Sequence, residues 1–376
     1  MYRLRAVRRA VSGRLHPDAA GDGRRRTAAA PPIAVSTLTQ ARRRSWLRAA
    51  WLAGTVLLCI VWPALEYPAF DIEPQERVKA FVQLAVLHGA WLLWPLLAQS
   101  VFKAWQRLRE RRRWRAAGAI TVAIVCGLLC YARFVEPNEL VVRRTVIAAP
   151  INLNIALVAD THIGIYTRPG KLRQLVAKLN ALPVDLVVIA GDFTYDPPHD
   201  LAAALAPLRS LRQPAYAVLG NHDVQLPGPP LADKIKRALA GSRIHFIAHR
   251  VVTFPTFRLA GLHDWWSGRD DAAFLRHLPP GKPLLILMHQ PHSLRALQGV
   301  HFALAMAGHT HGGQVDIPWL TDAVFRWTRD ETHVNGYYHT PLGPLFVTPG
   351  IGVTGMPLRF NCPPTIDVLE LRREPD

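Results

Sequence analysis

The side chains of this chain that could do chemistry gather after residue 150, and they share one placement. Asp160-Thr161-His162 follows a short apolar run, Leu153–Ala159. Gly191-Asp192 follows a second, Asp185–Ala190, and Gly220-Asn221-His222-Asp223 a third, Ala215–Leu219. His289 follows Leu284–Met288, and Gly308-His309-Thr310-His311-Gly312 follows Phe302–Ala307. Carboxylates, an amide and imidazoles with no cysteine among them form a mixed N and O donor set. That set suits borderline and harder divalent ions such as Mn, Fe or Zn, not a soft thiolate site. Asp160 and His162 are two residues apart, as are His309 and His311, so each pair can face one side of an extended loop. Two such pairs can serve two ions, with one carboxylate bridging. Two ions a few Å apart clamp the attacking and leaving oxygens of phosphoryl transfer.

The elements around these residues must bring them together. Helical periods over Lys171–Leu182, Leu201–Leu211 and Leu231–Ala240 alternate with the apolar runs, and Phe257–Leu262, Leu345–Thr348 and Thr365–Leu371 read as further strands. Continuous apolar strands alternating with helices predict a buried, largely parallel sheet in an α/β domain. Ligand groups in such sheets collect just beyond the carboxyl ends of the strands. Asp160 and Asp192 are 32 positions apart (192 − 160), and Asp192 and Asn221 are 29 apart (221 − 192), each about one βαβ unit. Residues spread along the chain therefore converge on one sheet edge.

The blocks ADTHIG, AGDFTYD, GNHD, LILMHQPH, GHTHGGQ and the tail GIGVTGMPLRFNCPP together resemble the calcineurin-like metallophosphoesterase superfamily. Within it they are most similar to a membrane-anchored bacterial phosphodiesterase branch. The resemblance covers about residues 140–371. It implies an α/β/β/α sandwich of the metallophosphoesterase type, preceded here by a transmembrane helical anchor. It implies that Asp160, His162 and His311 hold one divalent ion, that Asn221, His289 and His309 hold a second, and that Asp192 bridges them. His222 would face the scissile phosphate as general acid, and Asp223 would orient His222 or a neighbouring ligand. A hydroxide activated by both metals would attack phosphorus in line while His222 protonates the leaving oxygen. The chain departs from the family pattern at Ala159 and Thr161, at His263 where relatives carry Asp, and at Thr365 where they carry Glu. His292 is an alternative ligand to His289. Arg359 in the tail motif is a candidate phosphate contact, His263 a candidate substrate contact, and Trp265-Trp266 a candidate apolar lip beside the site.

The front of the chain is a different object. Residues 1–150 hold 24 Lys+Arg and 9 Asp+Glu, and residues 151–376 hold 21 and 18, so the net charge of +18 divides into +15 and +3. A near-neutral back half excludes nucleic acid as its partner. Four cysteines, three of them in apolar runs, exclude a disulfide framework. Residues 1–45 read as a disordered basic tail. Residues 46–135 read as three transmembrane helices: Trp46–Leu65, Ala80–Ala98 and Ala116–Phe134, each near the ~20 residues a bilayer requires. The second run is the weakest, since it carries Gln83, His88 and Pro95. Trp46, Trp62, Trp94 and Trp114 lie near run ends, as in an interfacial belt. Arg42-Arg43-Arg44 precede the first run, and seven basic residues from Lys103 to Arg115 separate the second from the third. Basic segments stay cytoplasmic, so the region after residue 135 is expected outside a bacterial inner membrane.

The leading expectation is a membrane-anchored, metal-dependent phosphodiesterase acting on a phosphoester substrate, with lipid-like esters among the candidates. The alternatives are a lipid-linked nucleotide pyrophosphatase resembling the UDP-diacylglucosamine pyrophosphatases, and a metal-binding membrane scaffold without catalysis.

Overall fold

The computed structural model describes residues 34–72, 74–225, 230–329 and 331–373. Residues up to Trp51 form one compact unit and Leu52–Asp376 a second. In the first, the described residues belong to the helix Ala34–Val56. Residues 34–45 are thus helical where a disordered tail was expected. Their Ala, Leu, Gln and Arg are good helix formers, and solvated arginines do not break a helix. Residues 1–33 of that expected tail lie outside the described residues.

Among the described residues, three stretches are long and apolar enough to cross a membrane: Ser45–Ala69, Pro74–Arg109 and Arg113–Asn138. They correspond to the three expected runs. The middle stretch is 36 residues long, roughly 54 Å at the helical rise, whereas the hydrocarbon core is only about 30 Å thick. The excess is used at its start. The helix Arg77–Gly89 buries Ala80, Leu84 and Leu87 against Ile165, and Phe70 and Ile72 from the preceding loop join the same apolar cluster. The loop is pinned as well: Asp71 N–H donates to the Pro197 carbonyl at 2.8 Å, and Lys234 Nζ pairs with Asp71 at 2.8 Å. His88 packs inside the anchor with Nε2 2.6 Å from Glu66.

The domain that follows contains β1 (Val141–Ala148), β2 (Leu153–Val158), β3 (Ile163–Gly164), β4 (Leu186–Ala190), β5 (Thr194–Tyr195), β6 (Ala215–Val218) and β7 (Ile244–Phe246). It continues with β8 (Arg250–Thr253), β9 (Arg258–Gly261), β10 (Leu284–Leu287), β11 (Leu304–Ala307), β12 (Gly336–Thr340), β13 (Gly343–Val347) and β14 (Thr365–Arg372). Among the described residues these make two six-stranded sheets, ordered β1-β14-β2-β4-β6-β7 and β12-β13-β11-β10-β9-β8, with β3 and β5 as a small separate pair. Pairing is parallel throughout except at β14–β2, β12–β13 and β8–β9. The sheets face each other across a core of alternating inward residues such as Leu157, Val188, Leu287, Met306 and Phe346. Leu172, Leu175 and Leu179 of the helix Pro169–Ala181 cover the outer side of the first sheet. Leu275, Leu294 and Leu297, from short 3-10 turns, cover the second. The result is the expected α/β/β/α sandwich. β2, β4, β6, β10 and β11 all point their carboxyl ends at one rim, and every block of candidate ligands lies on that rim.

Candidate metal centre

Two groups of side chains converge there. Asp160, His162 and His311 form one, and Asp192, His289 and His309 the other; within each, the potential ligand atoms lie within 4.8 Å of one another. Asn221 joins the second group, its Oδ1 3.1 Å from His289 Nε2. The two groups meet at Asp192, whose Oδ2 lies 3.2 Å from His289 Nε2 and 3.7 Å from His162 Nε2. Its Oδ1 accepts the His222 backbone N–H at 2.9 Å, which fixes the carboxylate's orientation.

Backbone conformation aims these side chains. Asp160, His162, Asp192, His309 and His311 all have positive φ, between 45° and 72°. Left-handed backbone is uncommon for residues with a Cβ and concentrates at functional sites held by their surroundings. The holding contacts are visible. The Asp160, His162 and Gly308 amides donate to the carbonyls of Gly191, Asp192 and His289. A Cβ on Gly308 would stand 2.7 Å from Asp160 Oδ2, so only glycine fits against the ligand there. Ring tautomers are set from behind: His289 Nδ1 faces the Ala190 carbonyl at 2.7 Å, and His162 Nδ1 the Thr194 carbonyl at 3.3 Å. Each Nε2 is left for the centre.

The donor set fits cations. His162 Nε2 and His311 Nε2, both buried, face each other at 2.9 Å, and Asp160 Oδ1 lies 3.8 and 3.7 Å from them with no hydrogen-bond partner of its own. Lone pairs converging in a dry pocket are unfavourable without a positive charge among them. Burial drives His162 down to about 3 and pushes His311 well below the ordinary imidazole range, so both are neutral and ligand-ready. Burial opposes charge on Asp192, yet His289, His222 and His162 hold it well below the usual carboxylate range. Burial also opposes charge on His289, but Asp192 and Asp160 raise it to about 10. To hold a divalent ion together with Asn221 and His309, His289 would have to give up that proton.

His222 lies on the wall of the adjoining cleft, a cavity of about 470 Å³ shared with Asn221, His309, Trp265, Trp266 and Phe325. Its ring packs edge-on against His162 and Tyr195, with centroids 5.1 and 4.7 Å away. Burial lowers its pKa, against the opposing pull of Asp192.

Asp223 faces the backbone of the loops around it. Its carboxylate accepts from the backbone N–H groups of Gly220, Phe193 and Thr194 and from the Thr194 hydroxyl, at 3.0–3.1 Å. It ties two ligand-bearing loops together and makes none of these bonds to the His222 ring. Arg359 is fully buried, donating to the carbonyls of Gly352, Pro349 and Cys362, so it organises the tail loop and faces no substrate. His263 lies in a different cavity, with Asp233, Lys236 and Arg269. His292 pairs with Glu331 at 2.9 Å and stacks on Trp265, lining the cleft outside both ligand groups. Burial opposes the charge on Glu331, but His292 and His333 hold it down to about 2.

Two contacts escaped the sequence. Gln83, from the helix that begins the second span, donates to the Tyr195 hydroxyl at 2.7 Å. Gln290 links the centre outward, donating to Asp264 and accepting from the Trp265 amide. Tyr195 lies in the AGDFTYD block and Gln290 beside His289, so position alone was the available signal.

With this geometry, the comparisons with known proteins are consistent. The calcineurin-like phosphoesterase family model matches residues 153–313. Phosphodiesterase YaeI of Escherichia coli (strain K12) is 30% identical over 280 residues, covering 70% of this chain and 99% of that protein. An uncharacterized metallophosphoesterase of Helicobacter pylori (strain ATCC 700392 / 26695) is 28% identical over 229 residues, 58% of this chain and 60% of its own length. A transmembrane protein with metallophosphoesterase domain from Danio rerio is 28% identical, covering 55% of this chain and 50% of that one. The chain thus spans about 60% of the Helicobacter relative. The chain belongs to the calcineurin-like metallophosphoesterase family.

Proposed function

We propose that the protein is a membrane-anchored phosphodiesterase whose catalytic rim lies outside the bacterial inner membrane. The observation that carries the chemistry is the Asp192 carboxylate set between two groups of buried imidazoles on the wall of an open cleft. Asp160, His162 and His311 would hold one divalent ion (Mn, Fe or Zn), and Asn221, His289 and His309 the other, with Asp192 shared. When bound, the pair would supply Lewis-acid activation of the phosphoryl group and of the attacking water. The chain's residues do the rest. His222, held by its backbone bond to Asp192 and by the Tyr195 ring, stands at the cleft to give its proton to the leaving alkoxide oxygen as the P–O bond breaks. Asp223 fixes the loops that carry Asp192 and His222. Trp265 and Trp266 form an apolar side of the cleft, which suits a diester with a greasy or aromatic substituent.

The anchor supports the sidedness. Phe70 and Ile72, between the first and second spans, pack on the catalytic domain, which supports both lying on one face of the membrane. The basic residues between the second and third spans would then mark the opposite, cytoplasmic face.

The test uses the full chain in nanodiscs, with a chromogenic phosphodiester and the matching monoester. Diester turnover lost on chelation, restored by Mn²⁺ and reduced at least about a thousandfold in Asp192→Asn is the expected result. Turnover that survives chelation overturns the reading.

A further inference from the structure

The amphipathic helix Leu320–Arg329 has one side accounted for and one bare. Its inner side is fixed to the domain. The Thr321 hydroxyl donates to the Val315 carbonyl at 2.8 Å, and Phe325 and Thr328 line the catalytic cleft. Its outer side presents Leu320, Val324 and Trp327, with Ile317 and Trp319 just before it. Trp319 and Trp327 are 80% and 87% exposed. Trp319 and Trp327 share a shallow cavity with Asp322, Ala323 and Arg326, and this much bare aromatic surface on one segment marks a surface with a partner.

The connections of this segment say where the patch lies. Asp316 N–H donates to the Phe360 carbonyl at 2.8 Å, and Val315 and Phe360 are bridged. The adjoining residues are tied to the end of the third span. Arg359 N–H donates to the Ala132 carbonyl at 2.9 Å, and the amides of Asn361 and Cys362 donate to Glu136 at 2.9 and 2.5 Å. Ala132 and Glu136 belong to the span Arg113–Asn138. The bare helix therefore begins within a few residues of the point where the chain leaves the bilayer. Tryptophan is the residue enriched at that level, and Arg326 on the same helix suits anionic headgroups.

We propose that the helix Leu320–Arg329 lies in the headgroup layer of the bilayer that holds the anchor, its outer residues in lipid and its inner residues in the cleft. The cleft then opens at the membrane surface, and its substrates are phosphodiesters of membrane amphiphiles. The substrate statement rests on the phosphodiesterase reading; the seating of the helix does not.

Two readouts keep these apart. The first needs no catalysis: wild type and a Trp319→Phe/Trp327→Phe variant are placed in nanodiscs of phosphatidylcholine and phosphatidylglycerol. The emission lost in the variant should be quenched by brominated acyl chains and be shielded from aqueous iodide. Emission that iodide reaches and brominated lipid does not would put the helix in water, facing a protein or nothing, and overturn the proposal. The second compares a soluble bis(p-nitrophenyl) phosphate with a diacylglycerol p-nitrophenyl phosphate carried in the same bilayer. Trp319→Ser/Trp327→Ser should leave the soluble ester within about twofold and slow the lipid ester about tenfold. Equal losses on both esters would overturn the lipid-delivery step. If neither ester turns over in the wild type, the phosphodiesterase reading fails while the quenching result still decides the seating of the helix.

Discussion

At the scale of single residues, the site depends on conformations that most side chains avoid. Five candidate ligands sit at positive φ, each costing on the order of 1–3 kcal/mol, and close backbone packing keeps them there. Gly308 is the tightest test of this. A methyl group at residue 308 meets both Ala159 Cβ and Asp160 Oδ2, so Gly308→Ala must displace the loop bearing Asp160 or His309. We expect metal content measured by mass spectrometry to fall with affinity, by roughly 10- to 100-fold, while circular dichroism stays unchanged. Full metal occupancy in the variant would show that the loop tolerates the shift. The candidate ligands were legible as candidates because each follows a short apolar run, and β strands deliver side chains at their ends. Their left-handed backbone was not legible, since only glycine advertises positive φ and these are Asp and His. The placement of Asp223 has a local reason. This residue occupies the third position of the one-turn helix Asn221–Val224, where a carboxylate folds back on the amide at the helix start. That geometry takes the carboxylate away from its neighbour His222.

At the scale of elements, the sequence showed the strands that are buried on both sides and hid those that are not. β2, β4, β10 and β11 are continuous apolar runs with every residue but Asn154 buried. β1 reads VVRRTVIA with mostly exposed side chains, and β12 reads GYYHT; both are sheet edges, where one-sided exposure removes the apolar signal. The helix Arg77–Gly89 is the more consequential element. Its apolar composition suggested only a span, but its first half docks on the domain and offers Gln83 to Tyr195, whose ring supports both His222 and His162. Gln83 is therefore a positioning residue. Gln83→Ala and Tyr195→Phe should each lower kcat on a soluble diester about tenfold, with KM and metal content unchanged. The alkaline limb of the pH–rate profile, where the proposed acid His222 loses its proton, should move in both, because the surroundings of His222 change. A fall in metal content instead would mean that the contact maintains the ligand set and does not position the acid.

At the scale of the whole molecule, anchor and enzyme share structure, and this decides what can be removed. The chain changes character near residue 140, which suggests a separable soluble domain. The fold contradicts a clean cut on two counts. β1 begins at Val141 and pairs in parallel along β14 from Val141–Thr365 to Ala148–Arg372, so a fragment starting near 146 loses most of an edge strand and exposes β14. Ile165 and Tyr166 are covered by Phe70, Ile72, Leu84 and Leu87 from the anchor, and uncovering buried side chains of this size costs about 1.5–3 kcal/mol each. A fragment from 146 should therefore aggregate on expression. One from 139 retains β1 and should fold, but with a lower Tm than the full chain in detergent and the reduced kcat expected of Gln83→Ala, since Tyr195 has lost the same partner. Adding Gln83→Ala to the full chain and comparing it with the 139 fragment separates the two effects: matching kcat with differing Tm assigns the catalytic loss to Gln83 and the stability loss to the remaining anchor contacts, the apolar cover and the Ala132 and Glu136 bonds to the tail loop. A 139 fragment equal to the full chain in both Tm and kcat would mean that the anchor serves only to hold the enzyme at the membrane.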